Sequence, residues 1–204
     1  MRSMLVVAAV VAFALAALPV VASADTFTTT DFGSVYTLTV TPTGTTNQFT
    51  VSLSINTSGY SGPGTVISAV NVGLGAPVSS FSVISTPAGT WTSSINGISS
   101  SNTGDSCIGS GTTFVCSQQS GPPFTSATVP NGTYTWSWTI TLSQAADLSQ
   151  NHIGAKYNNS TGTLEGNITS ATGTGVLVPE PGSLVLFGSG LVGIAAAIRR
   201  RASG

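Results

Sequence analysis

Apolar and polar residues alternate with a period of two along three stretches of this chain. Tyr36, Leu38 and Val40 alternate with Thr37, Thr39 and Thr41. Phe49, Val51, Leu53 and Ile55 alternate with Thr50, Ser52, Ser54 and Asn56. Tyr134, Trp136, Trp138, Ile140 and Leu142 alternate with Thr135, Ser137, Thr139, Thr141 and Ser143. Successive side chains of a strand point to opposite faces, so each stretch predicts a strand with one buried face. Weaker strand patterns run over 65–72, 78–85, 91–95, 112–117, 125–129, 152–157 and 163–170. Gly, Pro and Asn punctuate them at Thr43-Gly44, Gly59 to Gly64, Pro87-Ala88-Gly89, Asn96-Gly97, Pro122-Pro123 and Pro130-Asn131-Gly132. Asn131-Gly132 suits a tight turn leading into the strongest strand. Only Gln144 to Gln150 hints at helix. The pattern predicts an all-β fold, an antiparallel β-sandwich of Ig-like or jelly-roll-like style.

At both ends the alternation gives way to continuous apolar runs. Arg2 is followed by Met4 to Leu18, then by Pro19, and Ala22 and Ala24 flank Ser23. A short apolar run behind a positive charge and ahead of small residues is the pattern of a secretory signal peptide, here residues 1–24. Signal peptidase would cut after Ala24 and leave Asp25 first. An uncleaved membrane anchor is the alternative, but the run is short for a span. The domain of 25–177 follows. Residues 178–204 carry Val178-Pro179-Glu180-Pro181, an apolar stretch at 184–198 and then Arg199, Arg200 and Arg201. As a helix, 184–198 is about 22 Å long against a hydrocarbon core of about 30 Å, and snorkelling arginines make up part of the difference. The arginines should stay cytoplasmic, which leaves the domain on the far side, where the N-terminal signal also sends it.

Pro179-Glu180-Pro181, a short apolar helix and a terminal arginine cluster, in that order, resemble a PEP-CTERM sorting signal. The resemblance covers residues 178–201 and no more. It implies a Gram-negative, exopolysaccharide-producing source and recognition by an exosortase, a membrane-embedded cysteine-protease-like enzyme. That enzyme would read Pro179, Glu180 and Pro181, cut near Glu180, and release the protein or transfer it to the surface. The two prolines keep the site extended and open to a protease. A plain C-terminal anchor with a proline-rich linker is the alternative. The expected route is an inner-membrane-anchored precursor facing the periplasm, then the cell surface or extracellular matrix.

Composition narrows the cargo's role. Charged residues are 5% of the chain, against about 25% in an ordinary soluble domain. A net charge of −1 is no platform for nucleic acid. Between 25 and 178 the acids are Asp25, Asp31, Asp105, Asp147 and Glu165, and the one base is Lys156. About a third of those residues are Ser or Thr, which makes a polar but almost uncharged surface. Cys107 and Cys116 are nine apart, and export to an oxidising space makes a disulfide the expectation. Their spacing is not C-x-x-C, and two thiols do not hold zinc.

Candidate chemistry is sparse. His152 is the single histidine, no G-x-S-x-G elbow accompanies it, and a structural role in a strand is expected. Asp147 and Glu165 are the carboxylates that a glycosidase reading would need to converge. Asn102 to Asp105 offers too few oxygens for calcium, and no phosphate loop is present. No metal or cofactor is expected. Aromatics are the remaining lead, because a ring face stacks on a sugar. Trp136 and Trp138 lie on the face of Ile140 and should be core, and Tyr157 is a lesser candidate. Trp91, beside a Pro-Ala-Gly loop, and Tyr60, in a glycine-rich loop, are the candidates for exposure. The leading expectation is a non-catalytic surface or matrix protein. A carbohydrate-binding module and a secreted hydrolase are the alternatives. Expected partners are signal peptidase, exosortase and the membrane during processing, with exopolysaccharide afterwards.

Overall fold

The computed structural model describes residues 24–99, 106–171 and 174–176, the last three and 166–171 by backbone alone. The predicted signal peptide, sorting motif and apolar helix lie outside them. Among the described residues no helix is long and apolar enough to cross a membrane.

The described residues form eleven strands and one short 3₁₀ turn, in order: β1 Asp25–Asp31, β2 Ser34–Pro42, β3 Gln48–Asn56, β4 Val66–Leu74, β5 Val78–Ser85, β6 Trp91–Ser94, β7 Phe114–Gln119, β8 Thr133–Leu142, the 3₁₀ turn Leu148–Gln150, β9 Asn151–Asn158, β10 Leu164–Ala171 and β11 Thr174–Val176. They form two antiparallel sheets. One runs β11-β1-β2-β3-β8-β5, the other β10-β9-β4-β7-β6. The three strongly alternating segments, β2, β3 and β8, stand side by side in the first sheet. Leu53 faces Leu38 on one flank and Trp136 on the other. Period-two patterning thus stacks the apolar residues of neighbouring strands in rows on one face.

Both sheets feed one hydrophobic core. Tyr36, Leu38, Val51, Leu53, Trp136, Trp138 and Ile140 come from the first sheet, and Val70, Val72, Val115, Ile153, Ala155 and Tyr157 from the second. Two polar bonds tie the sheets through this core. Trp138 Nε1 donates to Ser117 Oγ at 3.1 Å, and the Tyr36 and Tyr157 hydroxyls hydrogen-bond to each other. Buried polar groups satisfied in this way avoid the cost of desolvation. Trp136 Nε1, equally buried, has no partner.

Several expectations are corrected. Residues 125–129 form an isolated bridge at Thr128 rather than a strand, because Ala127 takes a left-handed φ of 52° that interrupts the extended run. Asn131-Gly132 leads directly into β8, at the end of a connection that passes from β7 in one sheet to β8 in the other. The hint of helix shrinks to Leu148–Gln150, capped by Asp147 Oδ1, which accepts from Ser149 N at 3.2 Å. The tight hairpin turn is instead Phe32-Gly33, with φ of 47° and 77°, joining the paired Asp31 and Ser34. Two positive φ values in a two-residue loop match the right-handed twist of the strands it joins.

Candidate functional site

The aromatic candidates are placed unevenly. Tyr60 is only 8% exposed, which overturns the expectation of a free ring in its loop. Its ring stacks on Tyr157 at 4.7 Å, and its hydroxyl donates to Pro63 O. Tyr157, Trp136 and Trp138 are fully buried. Trp91 is half-buried: its ring meets Trp136 edge-on at 5.2 Å, and its Nε1 donates to Ala88 O at 3.4 Å. One partly exposed indole is therefore what remains of the stacking platform.

Asp147 and Glu165 are each hydrogen-bonded to residues close by in sequence. Asp147 caps the 3₁₀ turn, and Glu165, at the start of β10, accepts from Nδ2 of Asn159 in the preceding loop at 3.2 Å. His152 sits on β9 with its ring 5.2 Å from that of Phe114, and burial lowers its pKa below the usual histidine range.

The outward face of the six-stranded sheet is a lattice of hydroxyls. One row crosses it as Thr28, Thr37, Ser54 and Thr135. The next runs Thr26, Thr39, Ser52 and Ser137. A third runs Thr41, Thr50, Thr139 and Ser82. Neighbours across the strands bond to each other: Ser137 Oγ donates to Ser52 Oγ at 3.1 Å, and Thr135 Oγ1 to Ser54 Oγ at 3.5 Å. These rows carry no ionisable group.

The five-stranded sheet is built differently. Every residue of β4 is buried, on both of its faces. Its inner residues belong to the common core; its outer residues, Ala69, Asn71 and Gly73, lie under other chain. On the same outer face stand His152, Gly154 and Lys156 of β9, and Phe114, Cys116 and Gln118 of β7. Chain on either side of residues 100–105 is fastened over this layer. Cys107 and Cys116 are joined with Cα atoms 5.6 Å apart. Gln118 Oε1 accepts from the backbone N–H groups of both Ser106 and Cys107, the first at 2.7 Å. Gly97 and Gly109 exchange backbone hydrogen bonds, and Gly109 has backbone so near that an added Cβ would stand 2.6 Å from Ile98 O.

Lys156 lies in that covered layer with none of its surface exposed. Removing an ammonium from water is costly, and burial lowers this amine's pKa from the usual lysine range. Asn71, 3% exposed, has a buried Oδ1 with no hydrogen-bond donor. Sequence reasoning passed over both residues. The segment Asn151–Asn158 alternates cleanly enough that Lys156 reads as the solvent side of a half-buried strand. What the pattern does not reveal is the chain around Cys107 pinned over that side.

Beyond the described residues, 177–201 match a family model described as the PEP-CTERM protein-sorting motif. The match contains Pro179, Glu180, Pro181 and the three arginines, and covers the C-terminal segment alone. No curated protein and no solved structure matches the chain.

Proposed function

We propose that this is an exported, non-catalytic protein of the cell surface or extracellular matrix, delivered through an exosortase. The match of 177–201 to the PEP-CTERM motif carries the reading. In it, signal peptidase removes 1–24 after Ala24, and 184–198 holds the precursor in the inner membrane with Arg199, Arg200 and Arg201 on the cytoplasmic side. The domain of 25–177 faces the periplasm, and an exosortase cuts near Glu180. The two antiparallel sheets around a shared core support an Ig-like or jelly-roll-like sandwich as the cargo. A source that makes exopolysaccharide supplies the matrix. The hydroxyl lattice of the six-stranded sheet favours this destination, because it meets sugar hydroxyls as water does and adds no charge.

The sugar-binding module is the weaker reading, since it now stands on Trp91 without Tyr60. A hydrolase reading draws no support from Asp147, bonded to Ser149 in its own turn, or from Glu165 of β10, bonded to Asn159 of the preceding loop.

Intact mass of the protein from membrane, surface and medium fractions tests the proposal. The expected mature species begins at Asp25 and ends near Glu180, and Pro179→Ala/Glu180→Ala/Pro181→Ala holds the precursor in the membrane. A species that keeps Arg199 to Gly204 in every fraction overturns it and leaves a plain membrane anchor.

A further inference from the structure

Lys156 is the only lysine in the chain, and it sits where a lysine is hard to place. A buried amine held towards its neutral form is a nucleophile, as a solvated ammonium is not. The neighbouring electrophile is the carboxamide of Asn71. Asn71 pairs with Gly154, and Lys156 with Ala69, so the two lie diagonally across β4 and β9 on one face. Diagonal partners of an antiparallel pair are about 7–8 Å apart at Cα, within reach of long side chains, and lysine carries its amine on a four-carbon stem. Gly154, directly opposite Asn71, places no side chain in the lane between them. The Asn71 oxygen is buried without a donor, a cost that a merely structural asparagine would be expected to avoid.

We infer that Lys156 and Asn71 are a self-modification site, at which the two side chains join in an intramolecular amide bond across β4 and β9. Lys156 Nζ attacks Asn71 Cγ. The Nζ–Cγ bond forms, the Cγ–Nδ2 bond breaks, and Nδ2 leaves as ammonia with the proton that Nζ gives up. No oxidant, reductant or further reactant enters the balance. Exclusion of water disfavours the charged ammonium and protects the product from hydrolysis. The bond would tie β9 to β4 beside the Cys107–Cys116 link to β7, and unlike that link it survives reduction. This inference stands apart from the sorting reading, for it concerns residues 71 and 156 however the chain ends are processed.

The test uses exported full-length protein, reduced and denatured, and reads two things. Intact mass should be one ammonia below that of the processed sequence. Trypsin should leave the 156–157 bond uncut, because an acylated lysine is not its substrate, and digestion with a second protease should release peptides joined at 71 and 156. Asn71→Ala should restore both the full mass and the cut after Lys156. Asn71→Asp should lose water instead of ammonia and reach the same linked product. Unmodified mass with cleavage after Lys156 in the parent protein overturns the inference. So does loss of ammonia with that cleavage intact, which is cyclisation of Asn71 on its own backbone. The parent protein decides the matter even where a variant does not fold.

Discussion

The hydroxyls of Tyr36 and Tyr157 meet in a hydrogen bond between the two sheets, one phenol on β2 and the other on β9. Burial raises the pKa of both, and for Tyr36 the neighbouring Tyr157 adds to the rise. Tyr60, stacked on Tyr157, is raised chiefly by burial as well. An unfolded tyrosine gives up its proton near pH 10, while these three hold theirs in the fold. Below about pH 10 both states keep the protons; above it the unfolded chain releases them first, so stability falls as pH rises. Thermal melts from about pH 8 to about pH 11 should show the midpoint dropping beyond pH 10, and Tyr36→Phe should make the drop shallower. A midpoint as flat in the parent as in the variant would contradict the assignment.

The link between Cys107 and Cys116 closes a short loop and pins chain over the outer face of β4. Cys107→Ser/Cys116→Ser should lower unfolding stability by about 2.7 kcal/mol on the chain-entropy model. Denaturant midpoints measure the loss. Amide exchange should rise in 106–113, where the Gln118 bonds to Ser106 and Cys107 depend on the same anchor.

Trp136 and Trp138 are equally buried and differ in one bond. Trp138 donates to Ser117 Oγ; Trp136 Nε1 has no acceptor. Trp138→Phe should therefore cost about 1 kcal/mol more than Trp136→Phe in urea unfolding. Equal costs would mean that the bond contributes nothing net.

Gly33→Ala should destabilise by about 2 kcal/mol or more, because φ is 77° and a Cβ would stand 2.0 Å from Gly59 O. Gly44→Ala, with φ of 88° and nothing within 4 Å of its Cβ, should cost about 1 kcal/mol. The difference between the two melting points isolates the backbone contact from the torsional penalty.

The strands legible in the sequence are those with one face in the core and one in solvent. β2, β3 and β8 satisfy that condition, and their alternation marks them. β1 does not: Asp25–Asp31 buries Phe27 alone and is otherwise polar or partly exposed, so no period shows. The Phe32-Gly33 turn escaped because hairpin turns of its kind ordinarily announce themselves with Asn or Asp before the glycine, and here a phenylalanine takes the left-handed position.

The covered layer was hidden for a related reason. Burial of Lys156 and Asn71 follows from contacts between β7, β9 and the chain around Cys107, distant in sequence and fixed by tertiary pairing. A composition of one lysine in a hydroxyl-rich chain was visible; its position was not. Tyr60 misled in the opposite direction, since a glycine-rich loop suggests exposure while its ring lies flat on Tyr157.

The rows of Thr and Ser on the six-stranded sheet have a consequence for transport. A face without ionisable groups gathers no counterion cloud, so salt has nothing there to screen. Inside a charged, swollen gel such a face is neither drawn to the fibres nor repelled by them. Whatever response to salt or acidity the domain shows there comes from its few carboxylates and Lys156, and not from these rows.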